Sequence, residues 1–405
     1  MRIAFFLHSF PRPTHTFILG HITGMIDRGH QVDIFADHQG APPFHADVAR
    51  YRLMERTIFT RPIPHERVSR LLGAGASLVQ AGSRGQMQVL LRALNCRRYG
   101  RYASSLALLY RAATWISHGR HDVLHCQFGS VGASVLPLRQ IGAVSGRLVT
   151  SFRGSDASVD LPARPALYRE LFHQGEYFLP VSEGLKHRLI AYGCDERKIR
   201  VLHSGIDCRR FAYSERRWMP GEPVRLLTVA RLVEKKGLEY AIEAVSHLLT
   251  TGRRLSYTIV GEGELQARLG RLIQERGIER QVSLLGRQAQ EAVLVLLRQA
   301  HIFVAPSVTA ANADEEGIPN SLKEAMAVGL PVVSTVHGGI PELVQDGGSG
   351  FLVPERDISA LAERLGQLMD HPELWPAMGH TGRRRIESAF DSEKLNDELE
   401  QAYRA

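Results

Sequence analysis

The sequence predicts an α/β chain built as two doubly wound parallel-sheet domains that face one cleft. Three observations predict it. Short apolar runs of strand length alternate with helical apolar periodicity from the first residues onward. The same alternation starts again near Val224. Between the two series Gly205, Pro220, Gly221 and Pro223 cluster, which puts a boundary in 205–222.

The elements follow in order. Residues 3–7 form an apolar run of buried-strand length. Phe17, Ile18, Ile22, Met25 and Ile26 recur at helical spacing, Gly29 stops that helix, and 32–36 is the next strand. Strand–helix–strand with short links implies parallel pairing. Residues 64–118 break the rhythm: Val68, Leu71, Leu72, Leu78, Val79, Val89, Leu90, Leu91 and Leu94 suggest helices with arginines interleaved. Strands resume at 123–125, 147–152 and 177–181. The second series has strands at 225–229, 256–260, 282–284, 302–305, 332–334 and 350–353. Both series are Rossmann-like, and ligands in such sheets bind beyond the carboxyl ends of the strands. The expected domains are 1–212, with a basic helical arm near 50–120, and 213–385. A final helix in 386–405 is expected to cross back to the first domain.

Composition narrows the class. No uncharged apolar run of the chain reaches the ~18 residues that cross a bilayer, and MRIAFFLHSFP lacks a small-residue cleavage site, so it is read as a first buried strand. Cys96, Cys126, Cys194 and Cys208 show no metal-ligand spacing, and a reduced, cytoplasmic protein is expected. Residues 1–212 hold 28 Lys and Arg against 15 Asp and Glu, a net of +13, whereas 213–405 hold 22 against 27, a net of −5. Most of the excess sits in 50–120, with 13 Arg, no Lys, and Glu55 and Glu66 alone as acids. A basic patch this local implies an anionic surface as partner, such as the inner face of a membrane; a merely solvated face is the alternative. Sparse aromatics and the lack of any binding module argue against nucleic acid.

The richest stretch is Glu316-Gly-Ile-Pro-Asn-Ser-Leu-Lys-Glu324, followed by Gly329 and Pro331. Asn320 reads as a helix N-cap and Gly329 as a C-terminal stop. Gly317, Ile318, Pro319, Asn320 and Ser321 would then line a helix N-terminus that accepts a diphosphate. Glu324, in the first turn, would accept hydrogen bonds from ribose hydroxyls, and Glu316 from a sugar hydroxyl. The bland alternative is two solvated glutamates flanking a surface helix. Arg231 and Lys236 sit five apart after a strand, and cations at a helix start oppose its dipole; two such cations can neutralise a departing diphosphate. Gly261 and Gly263 follow another strand and could be no more than a tight turn.

The stretches EGIPNSLKEAMAVGLPVVST and HGGIPELVQDGGSGFLV resemble the C-terminal core of family-four glycosyltransferases, as do VARLVEKKGLEYAIEA and IVGEGELQARL upstream. SFPRPTHTFI, LHCQFG, SFRGSD and LHSGID resemble the branch that builds bacterial exopolysaccharides of the colanic-acid and amylovoran type. The resemblance implies a GT-B fold and a retaining transfer of a hexose from a nucleotide diphosphate sugar, UDP-linked or else GDP-linked, to a lipid-linked oligosaccharide. It assigns Arg231 and Lys236 to the diphosphate, Gly261 and Gly263 to the base or diphosphate side, the Gly286–Arg287 segment to the base, and His125 to the donor hexose. Gly338 and Gly339 would turn near the donor, with Glu342 capping the next helix. His15, where relatives often carry glutamate, and Arg153, where many carry histidine, would meet the acceptor together with Asp156. No D-x-D triplet occurs, so no metal or other cofactor is expected. An epimerase of similar shape and a non-catalytic carbohydrate- or membrane-binding protein are the alternatives.

Overall fold

The computed structural model describes residues 1–12, 15–42, 44–82 and 85–405. Pro13 and Thr14 of the SFPRPTHTFI stretch lie outside these residues. The chain divides into two units. The first comprises Met1–Pro180, Lys186–Val201 and Asn396–Ala405; the second comprises Val181–Leu185 and Leu202–Leu395.

Each unit holds one six-stranded parallel sheet. The first is made of β1 (Arg2–Phe10), β2 (Gln31–Gln39), β3 (Thr57–Phe59), β4 (Val123–Cys126), β5 (Arg147–Phe152) and β6 (Tyr177–Pro180), in the order β3-β2-β1-β4-β5-β6. The second is made of β7 (Val224–Val229), β8 (Leu255–Val260), β9 (Val282–Leu284), β10 (Ile302–Ala305), β11 (Val332–Thr335) and β12 (Gly350–Val353), in the order β12-β11-β10-β7-β8-β9. Strand order reverses between β1 and β4 in one and between β7 and β10 in the other. That reversal opens a crevice at the carboxyl ends of the strands.

The sequence produces these sheets because central parallel strands are covered on both faces and can be apolar throughout. Phe5, Phe6 and Phe35 are fully buried, as is Phe303. Alternate residues of β7 and β10 sort to opposite faces. Leu226, Ile302 and Val304 pack with Val245 and Trp375, while Leu227, Phe303 and Ala305 pack with Leu322, Met326 and Phe390. Each buried Leu, Ile, Val, Met or Phe among these contributes roughly 1.5–3 kcal/mol.

The structure differs from the sequence expectation in four places. β3 is an edge strand of three residues, too short to carry a period of its own. Residues 202–212 count with the second unit rather than the first, because Ile206, Cys208 and Phe211 pack into the cluster around Phe303 and Leu322. The last helix is Ser392–Arg404, and residue 386 still belongs to the preceding helix Trp375–Ala389. The arm folds as four helices, Arg67–Gly82, Met87–Arg92, Cys96–Ser104 and Ala107–Trp115, but several of its large apolar side chains face outward.

Candidate active site

In the second unit, loops from the carboxyl ends of β7, β8, β10 and β11 converge, and glycines make the approach close. A Cβ on Gly237 (φ +59) would lie 1.9 Å from the Pro306 carbonyl oxygen, which fixes the β7 loop against the β10 loop. A Cβ on Gly261 (φ +142) would lie 1.8 Å from the Ala230 oxygen, and one on Gly263 would lie 2.4 Å from the Leu232 oxygen. Gly261 and Gly263 are therefore required by backbone packing between neighbouring loops. Gly286 closes the same layer, its carbonyl accepting from the Gly261 amide at 2.9 Å. Arg287 is exposed and pairs with Glu262 at 3.4 Å.

Glu316 stands where these loops meet. Lys236 Nζ lies 3.0 Å and Lys235 Nζ 3.4 Å from its Oε1. Both contacts are ion pairs, because Oε1 has no well-directed donor. Burial pushes the Glu316 carboxyl up, yet the Lys236 and Lys235 ammonium groups overrule it and hold the group at about 2. Lys235 is further committed to Asp314 at 3.0 Å and to the Glu315 carbonyl at 3.3 Å. Lys236 is thus the less tied of the two. Arg231 is exposed, and its side chain pairs with no acid among the described residues.

A relay fixes the Glu316 backbone. Its N–H donates to His337 Nε2 at 3.0 Å, and His337 Nδ1 meets Glu355 Oε1 at 2.6 Å. Nε2 accepts, so the ring proton sits on Nδ1 and donates to the carboxylate. Gly338 and Gly339 then press on the loop: a Cβ on Gly338 (φ +51) would lie 2.1 Å from the Glu316 oxygen, and Gly339 donates to the Gly317 oxygen at 2.8 Å. This pair holds residues 316–318 in place. Glu342 lies within the helix Ile340–Leu343 and accepts from the Glu183 amide at 2.9 Å; the helix it caps is Glu183–Ala191, not the one that follows it.

The helix behind Glu316 is Asn320–Ala327. Pro319, not Asn320, is its N-cap residue, and no side chain caps it. Pro319 has no N–H to offer a ligand; its fixed φ of −61° sets the helix entry instead. The N–H groups of the buried residues Gly317 and Ile318 find no acceptor among the described residues. Orphaned buried N–H groups are rare, and a pair at a helix entrance suits an anion. Ser321 follows in the first turn. Glu324 is the fifth helical residue and so lies past the first turn, because the helix starts at residue 320. Burial pushes its carboxyl up to about 7 against the opposing charges of Lys323 and Arg210. Gly329 (φ +89) ends the helix: its N–H reaches the Met326 oxygen and that of Leu330 the Ala325 oxygen.

In the first unit the structure corrects the expectation that His125 ends its strand. His125 is the third residue of β4 and is fully buried. Its Nδ1 meets the Tyr403 hydroxyl at 2.5 Å and its Nε2 the Ser151 hydroxyl at 2.8 Å. With both nitrogens occupied and burial holding it well below the ordinary histidine range, the ring is neutral and internal. Asp156 is also turned to the backbone. Its Oδ1 accepts from the Arg153 and Gly154 amides and its Oδ2 from the Gly129 amide, each at 2.9 Å. It fastens the β5 loop to the β4 loop. Arg153 does project at the strand ends, donating to Gln127 Oε1 at 2.7 Å and lying 4.5 Å above the Phe17 ring. His15 sits nearby with its ring 5.6 Å from Phe128.

Sequence reasoning ranks Lys235 behind its neighbour Lys236, by spacing to Gly237, and passes over the His337–Glu355 pair and the Gln127 and Phe17 partners of Arg153. Only His337 carried a local signal, standing directly before Gly338 and Gly339. The others are found by distance alone.

Two families match the chain. Glycosyl transferases group 1 matches residues 212–385, and Glycosyltransferase Family 4 matches residues 15–210. WcaL of Escherichia coli (strain K12), a glycosyltransferase named for colanic acid biosynthesis, is 38% identical over 98% of each chain. The amylovoran biosynthesis glycosyltransferase AmsK of Erwinia amylovora is 38% identical over 96% of each. Among solved structures, HepE of Anabaena in complex with UDP aligns with a TM-score of 0.72 over 99% of both chains at 16% identity. Sucrose-phosphate synthase of Thermosynechococcus elongatus aligns at 0.71 over 100% of this chain and 98% of that one, at 18% identity. The shared architecture is the GT-B fold.

Proposed function

The chain belongs to the family-four glycosyltransferases with a group 1 C-terminal domain, and from that premise we propose that it moves a hexose from a UDP-linked donor to a lipid-linked oligosaccharide, with retention of configuration, during synthesis of an exopolysaccharide. The names of WcaL and AmsK support the pathway class. The UDP held by HepE supports the donor class.

One observation carries the donor assignment: the unpartnered Gly317 and Ile318 amides open beside the Lys236–Glu316 ion pair at the entrance of the helix Asn320–Ala327. In this reading the donor diphosphate lies on those amides and on Ser321. Arg231 and Lys236 meet its charge. As the bond from the anomeric carbon to the diphosphate breaks, negative charge builds on the leaving phosphate, and preorganised cations and amides favour that state over the ground state. Lys236 can turn from Glu316 toward the phosphate, which leaves the Glu316 carboxylate to accept from a hexose hydroxyl. Glu324 takes the ribose hydroxyls. The charge is met without a divalent cation, so transfer should persist in excess EDTA. Arg153, held by Gln127, forms the acceptor side with His15, and His125 acts as a positioning residue beneath it.

The test is isothermal calorimetry with UDP-glucose, alongside mass spectrometry of transfer products, on wild type, Lys236→Ala and Arg231→Ala. The reading expects loss of transfer in both variants, with more than tenfold weaker donor binding in Lys236→Ala. Wild-type binding and transfer in both would sink it.

A further inference from the structure

The helix Arg67–Gly82 is built inside out. Its inward positions hold Ala74, Ser77 and Ala81, which are buried. Gly73 also belongs to this side: a Cβ there would lie 2.3 Å from the Tyr110 hydroxyl, which donates to the Arg70 carbonyl oxygen at 2.9 Å. Small residues therefore let the helix sit close on the helix Ala107–Trp115. Its large aliphatic side chains lie opposite. Val68 is 69% exposed, Leu71 65%, Leu72 70% and Val79 74%. Positions 68, 71, 72, 75, 76 and 79 follow the helical repeat, so these four side chains with Gly75 and Ala76 form one stripe along the outer face. Scattered exposed leucines need no explanation, but a continuous stripe on one helix does. The neighbouring helix Met87–Arg92 adds Leu91, 52% exposed.

The arm that carries the stripe is cationic. Arg67 begins the helix and is exposed, as are Arg61 before it and Arg92 on the neighbouring helix; Arg97, Arg98 and Arg101, also exposed, stand on the next helix of the arm. The nearest acid in the sequence, Glu66, accepts from the Ser69 hydroxyl at 3.2 Å. Aliphatic side chains reaching outward among arginines match the interface of a bilayer bearing anionic lipid, where the apolar part enters the acyl boundary and the cations meet the headgroups. A second copy pairing through the same arm would bring two strongly positive surfaces together. A nucleic acid would gain nothing from aliphatic side chains that offer no hydrogen bond. Among the described residues no helix is long and apolar enough to cross a membrane.

We propose that this outward stripe of Val68, Leu71, Leu72 and Val79, with the exposed arginines of the same arm, is a docking surface for membranes that contain anionic lipid. The helix lies in the plane of the headgroups. Docking is independent of whether the acceptor is lipid-linked, and it concerns where the enzyme sits rather than the donor chemistry.

The experiment is sedimentation of the full-length protein with vesicles of phosphatidylcholine alone and of equal parts phosphatidylcholine and phosphatidylglycerol, at low and high salt. Wild type should sediment with the mixed vesicles, less so at high salt, and stay in solution with phosphatidylcholine alone. The double variant L71E/L72E should lose about tenfold or more in vesicle partitioning, since two charges now oppose insertion. The side chains are exposed, so the fold should survive, which circular dichroism and calorimetric UDP-glucose binding check separately. Arg97→Ser with Arg98→Ser should weaken binding and flatten its salt dependence. Three outcomes would overturn the proposal: no wild-type sedimentation at low salt, unchanged binding by L71E/L72E, or light scattering that shows a wild-type dimer which L71E/L72E makes monomeric.

Discussion

Replacing Glu324 by Gln should trade donor binding for stability, in amounts that depend on pH. Burial raises this carboxyl from 4.5 to about 7, with Lys323 and Arg210 opposing. A carboxyl raised on folding binds its proton more tightly in the native state. Its stabilising contribution is therefore complete below the unfolded value near 4.5 and is lost as pH rises through about 7. At 1.4 kcal/mol per pH unit the full gap would cost about 3 kcal/mol at pH 8; the side chain is half-buried, and solvent screening brings the cost to about 1–2 kcal/mol. Glu324→Gln has no such cost, so it should be more stable than wild type at pH 8 by about that amount, with the difference vanishing near pH 4.5. Donor binding should move the other way. If the ionised carboxylate accepts from two ribose hydroxyls, wild-type affinity falls about tenfold from pH 8 to pH 6, following the ionised fraction of a group at about 7. The amide can accept at its oxygen alone, so Glu324→Gln should bind more weakly at pH 8, by about 1.5–3 kcal/mol, and show a flat profile. Urea denaturation at several pH values measures the first effect. Calorimetry with UDP-glucose, whose diphosphate does not titrate in this range, measures the second. A flat wild-type affinity from pH 6 to 8, with no stability gain in Glu324→Gln at pH 8, would refute the assigned role and its physical basis.

Glu316→Gln leaves Lys235 and Lys236 facing a neutral amide in a nearly closed site, and should lower the urea-derived stability of the unliganded protein by about 3–5 kcal/mol. Part of that loss should return on adding UDP, whose phosphates replace the missing charge. Asp156→Ala removes the acceptor of three backbone amides and should cost at least about 3 kcal/mol, lowering the denaturation midpoint at pH 7. Gly261→Ala drives a Cβ to 1.8 Å from the Ala230 oxygen in a left-handed conformation; it should cost about 2 kcal/mol or more and weaken UDP-glucose binding, while Gly277→Ala, whose Cβ meets nothing within 4 Å, should leave binding unchanged.

The sequence by itself determined the two parallel sheets. Buried strands such as β5, β10 and β12 announce themselves as local runs of apolar residues, and their bounds agree with those read from the sequence. It also determined that residues 316–324 join a loop to a helix, since Gly329 and the apolar spacing of Leu322, Ala325 and Met326 are local signals. Tertiary structure alone decided what each polar side chain does. His125 and Asp156 stand near strand ends in the sequence, yet Tyr403, 278 positions away, closes over one, and three backbone amides consume the other. Spacing to Gly237 already favours Lys236 over Lys235, but it is the position of Asp314 that ties Lys235 and leaves Lys236 available. The arm shows the same division. Its helical period was legible, but which face turns inward depended on Tyr110 and on the small residues that fit beneath it. A period fixes which side chains share a face; only the neighbours packed against that helix decide whether the face meets the core or the solvent.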